Sequence, residues 1–82
     1  MQYEEIILGN RIVASGDVLH GKPRVANTRI QVAQVLDLLA AGKTLVEITS
    51  EEYYPELEIA DVFACIAYAS EVIASEEFVG VA

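Results

Sequence analysis

Cysteine occurs once in this chain, at Cys65, and tryptophan does not occur at all. One thiol can form neither an internal disulfide nor a cysteine zinc cluster, so no covalent or metal staple of that kind supports the fold. Long hydrophobic runs are missing too. The longest, Val62 to Ala69, is far below the roughly 18 residues that a membrane helix needs. Met1-Gln2-Tyr3-Glu4-Glu5 carries acids where a secretory signal carries Lys or Arg. The expectation is a soluble cytoplasmic domain without a membrane partner.

The scarcest commodity is positive charge. Five Lys and Arg face 13 Asp and Glu, a formal net charge of −8. Arg11, Lys22, Arg24 and Arg29 lie early, Lys43 is the last base, and nine acids follow it. Nucleic-acid affinity comes mainly from cations displacing counterions along the phosphates, and the second half of this chain has none to offer. Two readings of that half remain: a solvated acidic surface that keeps a small domain soluble, or an acidic face that recognises a basic partner.

What the chain does have is a core. Hydrophobic residues make up 54% of the 82 positions and charged residues 22%, the composition of one globular domain. At this size net stability is only a few kcal/mol, roughly 5, so self-association is expected. Tyr3 to Leu8 and Arg11 to Ala14 are β-prone runs separated by Gly9-Asn10, a hairpin signal. Residues 15–29 read as irregular, and Ile30-Gln31-Val32 as a short strand leading into a helix.

From Val32 the period changes. Val32, Val35, Leu36 and Leu39 follow helical spacing, and Gly42 is a C-terminal stop. Thr44 and Glu47 stand at capping-box spacing, so a second helix starts at Leu45 and ends before Tyr54-Pro55. A third helix is predicted over 58–76, with Glu58 and Asp61 suited to its positive end. Its stripe of Ile59, Val62, Phe63, Ile66, Ser70 and Ile73 is joined by a second apolar face of Cys65, Tyr68, Ala69 and Val72. Two short helices cannot cover both faces, which predicts a homodimer through this helix. The predicted architecture is mainly α: a three-helix, helix-turn-helix-like unit over 32–76, preceded over 1–31 by a short β-hairpin and a loop, and followed by a tail over 77–82, all one domain.

The enzyme patterns fail one after another. Gly16-x-x-x-x-Gly21-Lys22 begins like a phosphate-binding loop, but Pro23 stands where Ser or Thr would hold magnesium and opposes the helix that should follow. His20 has Asp17 nearby and no nucleophile placed to complete a triad, so it reads as a turn histidine. Cys65 reads as a small buried hydrophobe, and the adjacent Glu51 and Glu52 point apart on a helix. Tyr53-Tyr54 read as the apolar close of the second helix. A non-enzymatic protein without metal or cofactor is expected.

The informative run is Gly21-Lys22-Pro23-Arg24-Val25-Ala26-Asn27-Thr28-Arg29-Ile30-Gln31-Val32. It is either a rigid connector, with Pro23 fixing φ, Asn27 left-handed and its arginines bridging to acids on the helices, or a basic ligand surface. On the second reading Lys22, Arg24, Thr28 and Arg29 are the candidate partner-binding residues. On either reading Arg29→Ala should do more harm than Arg11→Ala, since Arg11 sits on an edge hairpin.

With this run the sequence resembles the family catalogued as domain of unknown function 433. Gly21-Lys22-Pro23, Thr28-Arg29-Ile30-x-Val32, Leu36-x-Leu38-Leu39-x-x-Gly42, Tyr54-Pro55 and Ala67-Tyr68-Ala69 match its pattern in order. Asn27 departs from the family's glycine, and Glu58 from a frequent Thr or Ser cap. The resemblance implies a homeodomain-like three-helix fold and, for some members, an antitoxin role beside a toxin with a PIN-like ribonuclease fold. The expected function is therefore a non-enzymatic antitoxin that binds and neutralises a PIN-like ribonuclease toxin. The alternatives are a DNA-binding transcriptional regulator, with DNA binding weak in the protein alone, and a homodimeric structural or adaptor module.

Overall fold

The structure is a computed structural model, described here over residues 4–75. Its elements in chain order are β1 (Ile6–Gly9), β2 (Ile12–Ala14), a 3-10 turn at Leu19–Gly21, β3 (Arg24–Val25), α1 (Val32–Ala40), α2 (Leu45–Ile48) and α3 (Ile59–Ser75). The mainly α expectation is overturned. Of the described residues, helix accounts for 46% and strand for 17%, and the strands form a three-stranded antiparallel sheet, so the fold is α+β. The reason is β3. At two residues it is too short to show alternation in sequence, and it lies within the stretch expected to be irregular.

The hairpin forms, but its loop is displaced by one residue. Gly9 pairs with Ile12, leaving Asn10-Arg11 as the turn, and the positive φ of 65° falls on Arg11. On the other side of β2, Ile12 pairs with Val25 and Val13 with Arg24. The predicted strand at Ile30-Gln31-Val32 reduces to one bridge from Gln31 to Arg24, and Val32 already begins α1. Before β3 the chain makes an unusual left-handed turn, with φ of 52° at Leu19, 55° at His20 and 79° at Gly21.

The helix boundaries follow from local chemistry. Gln31 N–H donates to Gln34 Oε1 at 2.8 Å and opens α1. At its end Gly42 has φ 86°, with Gly42 N–H donating to Leu39 O and Lys43 N–H to Leu38 O, a Schellman closure. The Thr44/Glu47 capping box is present: Thr44 N–H donates to Glu47 Oε1 at 2.9 Å, and the Thr44 hydroxyl accepts from Glu47 N–H at 3.1 Å. The bond from Thr44 N–H holds the Glu47 carboxyl below its usual pKa. A carboxyl depressed in the fold supports the cap at neutral pH, and that support is lost as acid protonates it. α2 is only four residues long. The chain then turns back so that Tyr54 N–H reaches Ile48 O at 2.9 Å and Tyr54 packs on the core.

The core joins the sheet to all three helices through Ile12, Val25, Val32, Val35, Ile48, Leu57, Val62 and Cys65. α3 is helical as predicted, within narrower limits; Glu76 and the tail over 77–82 lie outside the described residues, as does Tyr3 of the first β-prone run. Its expected stripe splits. Val62 is buried, as is Cys65 of the adjoining face, whereas Ile59, Phe63, Ile66 and Ile73 are exposed. Among the described residues no helix is long and apolar enough to cross a membrane.

Cys65 is fully buried, and burial pushes its thiol pKa up to about 11, with Asp61 adding to the effect. At pH 8 roughly one thiol in a thousand is thiolate. Alkylation of the native protein is expected to be at least about a hundredfold slower than after unfolding in guanidinium, as followed by mass spectrometry. Equal rates would place the thiol at the surface.

Candidate functional site

The run from Gly21 to Val32 folds into a small hairpin on the sheet. Val25 N–H donates to Ile30 O at 2.9 Å, Thr28 N–H to Val25 O at 3.1 Å, and Val32 N–H to Pro23 O at 3.0 Å. The expected left-handed residue is Asn27, with φ 65°. Asparagine tolerates this region better than most residues, so the turn persists without the family's glycine. The Thr28 hydroxyl donates to Val25 O at 2.8 Å and accepts from Ile30 N–H at 3.0 Å. Thr28 is therefore a brace for the turn.

Arg24 is also internal. Only 7% exposed, it runs under the loop and donates to Ser15 Oγ at 3.3 Å, Thr28 O at 3.3 Å and Glu5 Oε1 at 3.4 Å. Its Nε is buried without a partner among the described residues. Glu5 precedes β1, so the connector reading is right that an arginine fixes this loop, but the acid it meets is not on a helix. Lys22 and Arg29, in contrast, are exposed, and neither forms an ion pair among the described residues. The four candidates therefore divide. Arg24 and Thr28 build the loop, and Lys22 and Arg29 face solvent on it.

Lys22 stands at one rim of an open, mainly apolar groove of about 410 Å³, with Pro23, Val32 and Leu36 on one wall and Tyr68 and Val72 on the other. Beyond the opposite side of the loop, Asn27 and Thr28 border a polar cleft of about 320 Å³ that also contains Arg11, Glu56, Glu58 and Asp61. Arg11 Nη1 donates to Asp61 Oδ1 at 3.0 Å and to Glu58 Oε1 at 3.2 Å. The bond to Asp61, followed by that to Glu58, raises the Arg11 pKa further. The other oxygen of Asp61 accepts from Glu58 N–H at 2.7 Å and so caps α3. The cap missing at Glu58 is thus supplied three residues later, as charge at a helix N-terminus favours.

This three-way contact was not legible in sequence, because Arg11 lies 50 residues from Asp61. For stability alone it reverses the expected order of the two arginines. Arg11→Ala should lower the melting temperature and Arg29→Ala should leave it unchanged. Asp61→Ala, which removes both the cap and the Arg11 partner, should destabilise by about 1–2 kcal/mol. Thermal melts followed by circular dichroism check all three, and a larger loss from Arg29→Ala would contradict the arrangement.

No group of three or more His, Cys, Asp or Glu side chains is placed to hold a metal ion among the described residues. His20 lies in the left-handed turn and is exposed. Residues 12–69 match a family model described as protein of unknown function (DUF433). The match takes in all four candidates with Glu58 and Asp61, and begins immediately after Arg11. No curated protein and no solved structure matches the chain.

Proposed function

The chain belongs to the DUF433 family of proteins of unknown function, and from that footing we propose that it is a non-enzymatic, antitoxin-type protein of the cytoplasm that neutralises a PIN-like ribonuclease. One observation carries the reading: the surface that follows Lys43. α2 and the turn behind it expose Val46, at 70%, with Glu51, Glu52 and Glu56; no base follows Lys43 in sequence, and Lys43 itself lies over the Tyr53 ring at 5.8 Å. An RNA-cleaving nuclease presents a basic groove around carboxylate-held metal ions. An acidic surface with one apolar anchor fits such a groove and competes with RNA without performing chemistry. Lys22 and Arg29 are then free to engage carboxylates of the partner.

The test is co-expression with a PIN-like protein encoded beside this chain, followed by an RNA-cleavage assay. Wild-type protein should suppress cleavage, and the triple variant Glu51→Lys, Glu52→Lys, Glu56→Lys should lose at least about a hundredfold in inhibition at an unchanged melting temperature. The absence of such a neighbour, or cleavage unaffected by the wild-type protein, overturns the reading.

DNA binding is the competing role, and α3 weighs against it. Between Ile59 and Ser75 there is no Lys, Arg, Asn or Gln, the residues that read bases and grip phosphates. The isolated protein should bind duplex DNA more weakly than about 10 µM at about 150 mM salt. Nanomolar binding to its own promoter in a gel-shift assay would favour the regulator instead.

A further inference from the structure

The exposed face of α3 has the spacing of a coiled-coil seam. Ile59, Phe63, Ile66, Ser70 and Ile73 succeed one another at intervals of 4, 3, 4 and 3 residues. All five face solvent, with Ile59 42%, Phe63 56%, Ile66 39% and Ile73 68% exposed. No charged residue interrupts the seam. From Ser70 to Ser75 every residue of α3 is exposed, so the C-terminal end of the helix leaves the body with Val72, Ile73 and Ala74 uncovered. Large apolar side chains left exposed on a helix end favour a neighbour that covers them.

We infer that the neighbour is a second copy of this chain, docked α3 against α3 about a two-fold axis. Shape supports that occupant. Beside Phe63 lies a cleft of about 350 Å³ between α3 and the Gly9-Asn10 corner, floored by the small side chains of Ala60, Ala64 and Ala67 and bordered by Tyr68 and Glu71. A large aromatic knob and a hole floored by alanines therefore stand side by side on one surface. A two-fold axis places each copy's Phe63 against the other's alanines, as an isologous interface requires. The area also suffices. The four large side chains of the seam present on the order of 400 Å² per copy, close to the apolar share of a standard half-interface of about 800 Å².

Charge gives the contact a signature of its own. Each copy carries a net charge of −8 and places Glu71 at the edge of the cleft, so the pair repels, although the seam itself holds no charged residue. Dimerisation tightens as salt is raised from about 50 to about 500 mM, because screening removes the repulsion. Docking of the acidic α2 surface on a basic nuclease has the opposite dependence, so the two interactions succeed or fail separately.

The experiment is light scattering and sedimentation equilibrium on the full chain from about 1 to about 200 µM, a range spanning the usual affinities of homodimers of this interface size. The expected mass is twice the 8.9 kDa of the chain. Phe63→Glu should weaken the dimer at least about a hundredfold and Ile73→Glu at least about tenfold, while Val46→Glu on α2 leaves it intact. Ile73 lies on the protruding end of α3, so its substitution reports on the interface even where Phe63→Glu fails to fold. A monomer at about 200 µM in high salt overturns the inference and leaves the seam to a different protein. A dimer lost with Val46→Glu and retained in both α3 variants overturns it equally.

Discussion

Arg24→Ala is expected to cost about 2–4 kcal/mol, enough to leave a domain of this size barely folded at 37 °C. The guanidinium lies under the loop, and its removal opens a cavity and strands Ser15 Oγ and Thr28 O, both of which it satisfies. It also releases Glu5, which ties the chain before β1 to β3. The charge itself contributes less than this loss implies. The bonds are long, at 3.3–3.4 Å, and Nε is unpartnered among the described residues. Arg24→Met, which fills the space without a buried charge, should therefore be milder, at about 1 kcal/mol. In a domain of this length each kcal/mol moves the melting temperature by about 4–8 °C, so the two variants separate in a thermal melt. Lys22→Ala and Arg29→Ala should melt with the wild type. An Arg24→Ala protein of unchanged melting temperature would return Arg24 to the surface and to the set of recognition residues.

Ile48→Ala should be comparably severe, at about 3 kcal/mol. Four residues of helix have no stability of their own, and Ile48 is the one fully buried side chain that α2 contributes. It packs with Val35, Leu57 and Val62 in the same cluster, joining α2 to α1, to α3 and to the returning turn. Its truncation removes the anchor of the whole acidic surface from Lys43 to Leu57. Val46→Ala, two residues away and exposed, is the matched control and should change the denaturant midpoint little. Equal effects from the two would mean that α2 is held by its capping box and backbone alone.

What could be read from the sequence was what neighbouring residues decide among themselves. The Thr44/Glu47 cap, the stop at Gly42 and the left-handed Asn27 all depend on residues within a few positions, whereas the second helix, expected to run up to Tyr54-Pro55, stops at Ile48. The features that escaped depend on pairing across the chain. β3 becomes a strand only because Ile12 and Val13 lie beside it, and that pairing turns Arg24 inward. Within the run Lys22 to Arg29 nothing distinguishes the buried arginine from the exposed one before the register of β2 is known. Arg11 presented the converse problem: on an edge hairpin it read as solvated, and only the placement of α3 brings Asp61 to it. On α3 the helical period was clear but its inward side was not, because apolar residues cover more than half of the circumference. Burial of Val62 and Cys65 decides it and leaves Phe63 and Ile66 outside.

The left-handed turn before Lys22 bears on the unfolded chain as much as on the native one. Leu19 and His20 occupy a region that costs a side chain with a β-carbon about 1–2 kcal/mol each. Glycine at either position relieves that strain, yet it also enlarges the ensemble that folding must collapse, by up to about 1 kcal/mol of entropy. The entropy offsets only part of the strain. The native residues therefore restrict the disordered chain while straining the folded one somewhat more, and the turn keeps a modest net penalty in a domain with little stability to spare.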